Sequence, residues 1–90
     1  MSYTKDPNSE VDFVVDWSRW LAIRDSDTIS TSTWVVPSGI TKTDDTHTTT
    51  TATIWLSGGT LGQTYDVVNR VTTAAGRIED HTLTIYITEH

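Results

Sequence analysis

The chain has 90 residues, no cysteine and a formal net charge of −6. That length argues for one domain, and the missing cysteine excludes a disulfide framework or a thiolate zinc site. Clustered Lys and Arg are what bind phosphate backbones, and the basic residues here are scattered at Lys5, Arg19, Arg24, Lys42, Arg70 and Arg77, so neither nucleic acid nor an anionic membrane is expected as a partner.

Residues 1–10 are polar, contain Pro7 and read as a flexible N-terminal arm ahead of a single domain over 11–90. They hold no apolar h-region, and no stretch of the chain approaches the roughly 18 apolar residues of a membrane span; a soluble protein made without a signal peptide is expected. From Val11 the apolar residues Val11, Phe13, Val15 and Trp17 recur every second position, which predicts a strand over 11–17. A helical turn through Ser18-Arg19-Trp20-Leu21 is compatible with the end of that strand. Arg24-Asp25-Ser26-Asp27 reads as a turn, Thr28–Val36 as a second strand, and Pro37-Ser38-Gly39 as the next turn. Ile40–Asp44 makes a short third strand ending in a bend at Asp44-Asp45, and Thr48–Leu56 makes the fourth. Gly58, Gly59 and Gly62 mark a loop before Tyr65–Thr73, and Ala74–Arg77 closes a hairpin onto Ile78–Thr88.

Short strands with turns about every ten residues are the pattern of an antiparallel sandwich or small barrel. The alternation places Ile54 and Leu56 on one face, Tyr65, Val67, Asn69 and Val71 on another, and Leu83, Ile85 and Ile87 on a third; Phe13, Val15, Trp17 and either Trp34 or Val35 complete the expected core. The stretch Leu61-Gly62-Gln63-Thr64-Tyr65-Asp66-Val67 looks like the entry to strand F of fibronectin-type and immunoglobulin-like domains. Tyr65 is therefore expected as a tyrosine corner whose hydroxyl meets nearby backbone. Asn69, on the same strand face, is either a buried polar residue with its hydrogen bonds met or a solvated strand end.

Chemistry of turnover finds little support. His47, His81 and His90 lack the spacing of a zinc motif. No serine is paired with a histidine by local sequence, and Asp25, Asp27, Asp44, Asp45, Glu79 and Asp80 fall in expected turns or near hairpin ends, where Asp serves backbone needs. Asp25-Ser26-Asp27 and Asp44-Asp45 form no complete calcium loop. The glycine-rich Ser57–Gly62 leads from strand to strand and carries no lysine, so it is no phosphate cradle. No cofactor or metal is expected. The chain holds 4 Trp, of which Trp55 is out of phase with Ile54 and Leu56 and so points outward. Trp17 and Trp20, three apart, cannot share a strand face. Trp20 and Trp55 are the candidate partner-binding residues, since exposed indoles mark docking sites. The run Thr48–Thr51 is either a sheet edge guarded by Asp44 and Asp45 or one used in assembly.

The segments DWSRWL at 16–21, DTISTSTWVVPSG at 27–39 and TTTATIWLSGGTLGQTYDVVNRVTTAAGR at 49–77 resemble a family of small virion proteins of tailed bacteriophages and prophages, the fibre–tail adaptor-like proteins. The likeness runs from about Lys5 to Ile87, with Trp55–Gly59 and Asn69–Arg77 its most specific parts; Ala22–Ser26 is longer than the usual link. The resemblance implies an immunoglobulin-like or fibronectin-type antiparallel β-sandwich of about seven short strands. It also implies a non-enzymatic structural role in the tail, neck or fibre-attachment region, with other virion proteins as partners and self-assembly a further option. The expected location is the virion, after synthesis in the host cytoplasm. The alternatives are a carbohydrate-binding or adhesion module stacking sugars on Trp20 and Trp55, and a capsid decoration protein.

Overall fold

The computed structural model describes residues 2–89, so the expectation for His90 lies outside the described residues. Among the described residues seven strands and one short helix succeed one another: β1 (Ser2–Lys5), β2 (Val11–Asp16), α1 (Ser18–Ile23), β3 (Ile29–Val35), β4 (Ile40–His47), β5 (Thr51–Gly58), β6 (Thr64–Thr73) and β7 (Ile78–Ile87). They form two sheets, ordered β1-β7-β6-β3 and β2-β5-β4. The protein is an all-β sandwich.

Period-two alternation builds the core between the sheets. Ala52, Ile54 and Leu56 of β5 are fully buried, as are Val67 and Val71 of β6 and Leu83 and Ile85 of β7. Phe13 and Val15 of β2 and Trp17 just beyond it face them. On β3 it is Trp34 that packs against this core, whereas Val35 is 64% exposed, because Trp34 pairs with inward Asn69 and Val35 with Val68.

Three local expectations are corrected. The first ten residues are not all a loose arm: Ser2–Lys5 pair in parallel with Thr84–Ile87, while the other strand pairings among the described residues are antiparallel. Lys5 fixes this strand. It is buried, and its Nζ donates to the carbonyls of Gly58 at 2.7 Å and Asp6 at 2.8 Å; burial pulls its pKa below the usual lysine value, partly offset by the Asp6 carboxylate. Second, β4 runs straight through Asp44-Asp45. A bulge at Thr43 shifts the register, and Lys42 and Asp45 pair at 3.0 Å on the inner side of this edge strand. Inward charge of that kind discourages edge-to-edge pairing. Third, the threonine run supplies the β4–β5 turn. Thr48 Oγ1 accepts the N–H groups of Thr50 and Thr51 at 3.2 and 3.0 Å, so side-chain hydroxyls close the turn that glycine or asparagine would otherwise make.

The end of the sandwich near β1 is stitched by the β5–β6 loop. Tyr65, the residue read as a corner, is buried, and its hydroxyl accepts the N–H of Thr60 at 3.0 Å. Gly62 donates to the carbonyl of Ile87 at 2.9 Å.

Candidate functional site

At the opposite end, β2 ends at Asp16 and the chain turns into α1. Asp16 Oδ1 accepts the N–H of Ser18 at 2.9 Å, and bonds from Ser18, with Arg19 nearby, hold this carboxyl below its ordinary value. The helix closes at Arg24, whose N–H meets the carbonyl of Leu21 at 3.0 Å, and Asp25 and Ser26 reverse the chain with φ of 59° and 55°. Leu21 is buried and anchors the helix, which lifts Trp20 to a half-buried position over Trp17. The two indoles meet edge to face at 5.4 Å, and the Arg24 guanidinium sits 5.1 Å from the Trp20 centroid. Trp17 is thus core and Trp20 its cover. Ile23 stands 76% exposed beside them.

Next to Trp20 lies an open groove of about 490 Å³, lined among others by Val14, Asp16, Trp17, Glu79 and His81. Its origin is the shortness of β1, which accompanies β7 only along Thr84–Ile87. Among the described residues, no strand lies outside Ile78–Leu83. The gap between that stretch of β7 and the edge of β2 is the groove. His81 stands edge-on to Trp17 at 5.9 Å, and its buried Nε2 has no hydrogen-bond partner among the described residues.

This end is held together by bonds between its loops. Trp17 and Ile29 donate to the carbonyls of Thr50 and Thr49, each at 2.8 Å, and Ala74 donates to Thr28 at 2.9 Å. Asp27 is the clamp. Its side chain is 5% exposed, and it accepts from Arg77 Nη1 at 2.9 Å, from the N–H of Thr28 at 2.9 Å and from that of Ala75 at 3.2 Å. Hydrogen bonds from the Thr73 side chain, Thr28, Arg77 and Ala75 hold its carboxyl below the ordinary value against the opposing effect of burial. A carboxylate depressed in this way stabilises the fold above about pH 4, its unfolded value, and loses that contribution as pH falls through the folded value. Asp27→Asn is therefore expected to lower the melting temperature at pH 7. The gap to the unmodified chain should close as thermal scans move below about pH 4; a gap constant down to about pH 2 would contradict the clamp.

Trp55 occupies a different face. It is half-buried at the centre of the outer surface of β2-β5-β4, paired in register with Asp12 of β2 and Asp44 of β4. The structure therefore separates the two candidate indoles: Trp20 borders the groove at the α1 end, and Trp55 stands on a flat sheet face. Asn69 is fully buried on the inner face of β6, in the sheet opposite Trp55, and is bonded to Trp17, Ser32 and Thr33.

Three of the carboxylates weighed for chemistry, Asp27, Asp45 and Asp80, are paired with basic side chains. Asp27 holds Arg77, and Asp80 takes a two-pronged bond from Arg70 at 2.7 and 3.0 Å. Asp44 and Asp45 lie within β4, apart from the Asp25–Asp27 turn. Among the described residues no three His, Asp or Glu side chains gather as a metal site requires, and no helix is long and apolar enough to cross a membrane. Sequence reasoning missed the Asp27–Arg77 clamp, the His81 edge of the groove and the two carboxylates beside Trp55. Period-two phase marks Asp12 and Trp55 as outward, but not that they are neighbours.

A sequence profile described as the podophage GP4 fiber-tail adaptor protein gp77 matches residues 5–86. The chain belongs to that family. A search of curated proteins returned no match. Membership in the fibre–tail adaptor family identifies the chain as a structural phage tail component. The matched span takes in Lys5, Trp20, Trp55, Tyr65, Asn69 and the Asp27–Arg77 clamp, so both aromatic surfaces and the bonds that frame them fall within the adaptor family's region of likeness.

Proposed function

We propose that this adaptor-family chain is a non-enzymatic, immunoglobulin-like module that joins other tail proteins of the virion through two aromatic surfaces, one at Trp20 and one at Trp55. The observation that carries the proposal is the family match over residues 5–86 taken with indoles held at the surface by a tied framework. Support for the immunoglobulin-like type comes from strand grouping. β2-β5-β4 against β3-β6-β7 matches the B-E-D and C-F-G sheets of such domains, with β1 moved beside the last strand. Trp34 stands on the equivalent of strand C. Tyr65 precedes Val67 by two residues, as the corner tyrosine precedes the second cysteine. Support for a role without catalysis is that Asp16, Asp27 and Asp80 are engaged by Ser18, Arg77 and Arg70.

A standard stable interface takes about 800 Å² from each partner, roughly a sixth of the 5166 Å² that this chain exposes. Two such contacts, one per indole, would take about a third of that surface. In the expected assembly the protein folds in the host cytoplasm and acts in the tail, neck or fibre-attachment region. Trp20→Ala and Trp55→Ala are each expected to reduce the amount of protein on purified particles at least several-fold, as loss of a central aromatic anchor does, while circular dichroism of the isolated variants stays that of a folded β-protein. Full incorporation of both folded variants would remove the basis for the proposal.

A further inference from the structure

We propose that the outer face of β2-β5-β4 receives an arginine side chain of a partner protein, seated on Trp55 between Asp12 and Asp44. Register carries the argument. Asp12 and Asp44 are the cross-strand neighbours of Trp55 on its two sides, and such neighbours on one sheet face stand about 5 Å apart at Cβ. An indole bracketed by two carboxylates thus forms one row across the sheet.

Among the described residues no base neutralises that row. The remaining outward register positions of the three strands carry threonine, serine, Val14 and a third carboxylate, Asp16, with no Lys or Arg among them. Lys42 belongs to the inner side, opposite Leu56, and is bonded to Asp45. Arg19 lies near Asp16 at the far end of β2. Asp44 gives one oxygen to the N–H of Asp45 at 2.8 Å and keeps the other.

Charge complementarity therefore selects a cationic occupant. A cation within about 6 Å of a ring centroid is attracted to the face of an indole, and the chain itself makes such a contact, Arg24 on Trp20 at 5.1 Å. A guanidinium suits the row better than an ammonium. It lies flat on the ring and presents N–H groups along its edge in opposite directions, toward both carboxylates. The net charge of −6 draws a basic segment in from a distance. A second copy of this chain is disfavoured, since stacking the face on itself opposes carboxylates to carboxylates. That the partner is a virion protein rests on the proposed adaptor function; the chemistry of the site does not.

The test uses the purified full chain and short capped peptides of alternating Thr and Arg, Thr and Lys, or Thr and Glu. The indole N–H resonances are monitored by nuclear magnetic resonance, with that of Trp55 identified by its loss in Trp55→Leu. The Arg peptide is expected to shift the Trp55 resonance, the Lys peptide to bind more weakly and the Glu peptide not at all. The double variant Asp12→Asn/Asp44→Asn changes two exposed side chains, so it should fold unchanged and weaken Arg-peptide binding at least fivefold. Salt at about 0.5 M, where screening acts within roughly 5 Å, should do likewise. Equal binding of the Arg and Glu peptides, unchanged binding by the double variant, shifts confined to Trp20, a larger Trp55 shift with a neutral oligosaccharide, or dimerisation of the chain through this face would each overturn the inference. If the peptides fail while Trp20→Ala still loses the particle, the arginine site falls and the adaptor reading stands. If the peptides bind while both indole variants assemble fully, the site stands and the adaptor contact falls.

Discussion

Replacing Asn69 by leucine is expected to lower the stability of the fold by about 3 kcal/mol, a large part of the roughly 5–13 kcal/mol available to a chain of this size. Leucine is near asparagine in size, so the loss is polar in origin. Asn69 Oδ1 accepts the indole N–H of Trp17 at 2.9 Å, and Nδ2 donates to Ser32 Oγ at 2.9 Å and to the Thr33 carbonyl at 3.1 Å. One fully buried side chain thereby ties β6 to its neighbour β3 and, across the core, to the last turn before α1. Leucine removes three hydrogen bonds at about 1 kcal/mol each and strands the indole N–H of buried Trp17. Adding Trp17→Phe removes the stranded donor as well. In a double-mutant cycle measured by urea unfolding, the pair should lose at least about 1 kcal/mol less than the sum of the two single changes. Additive losses, or a loss below about 1 kcal/mol for Asn69→Leu alone, would show that the Asn69 hub is energetically idle. Trp17 also forms the floor under Trp20, so the same variant is expected to loosen the groove that Trp20 borders.

Much of the core was legible because burial between two sheets imposes a period of two that survives in the one-dimensional order. Phe13 and Val15, Ile54 and Leu56, Val67 and Val71, Leu83 and Ile85 all announce themselves in this way. The helical turn at Ser18–Leu21 showed where that phase breaks between Trp17 and Trp20. What stayed hidden depends on partners distant in sequence. Lys5 looks like a surface lysine until the Gly58 carbonyl, 53 residues away, is seen to receive it. Asp44-Asp45 carries the composition of a turn, yet a bulge and the Lys42–Asp45 pair let a strand pass through it. Thr48–Thr51 has the composition of a strand, yet its hydroxyls close a turn.

The candidate surfaces obey the same division. That Trp55 faces outward is a statement of phase, readable from Ile54 and Leu56 on either side. That Asp12 and Asp44 flank it is a statement of register, fixed by the pairing of β5 with both neighbours, and no local pattern contains it. The groove beside Trp20 is hidden more deeply, since it exists only because β1 stops short along β7.

The second large effect is expected at Gly59, where alanine should cost about 3 kcal/mol. Two penalties coincide. The backbone stands at φ +98°, a region that side chains of L-residues rarely adopt. A Cβ placed there would lie 2.6 Å from Cδ1 and 2.9 Å from Cγ1 of Ile87. Ile87 is 1% exposed at the end of β7, and as a β-branched residue in a strand it has few rotamers to move into. It also backs the loop whose Thr60 N–H holds the Tyr65 hydroxyl and whose Gly58 carbonyl holds Lys5, so displacement would spread to β1. Gly62 is the built-in control. Its φ of +83° is similar, but a Cβ there meets nothing within 4 Å, so Gly62→Ala should cost only the conformational part, about 1 kcal/mol. Chemical denaturation of the two variants side by side separates strain from collision. Equal losses would mean that Ile87 yields freely and that the loop does not depend on the close approach of Gly59; a loss at Gly59 about 2 kcal/mol the larger is the expected result. Because this end lies away from both Trp20 and Trp55, Gly59→Ala protein that remains folded at low temperature should still enter particles, which makes it the stability control against which loss of incorporation by the indole variants is judged.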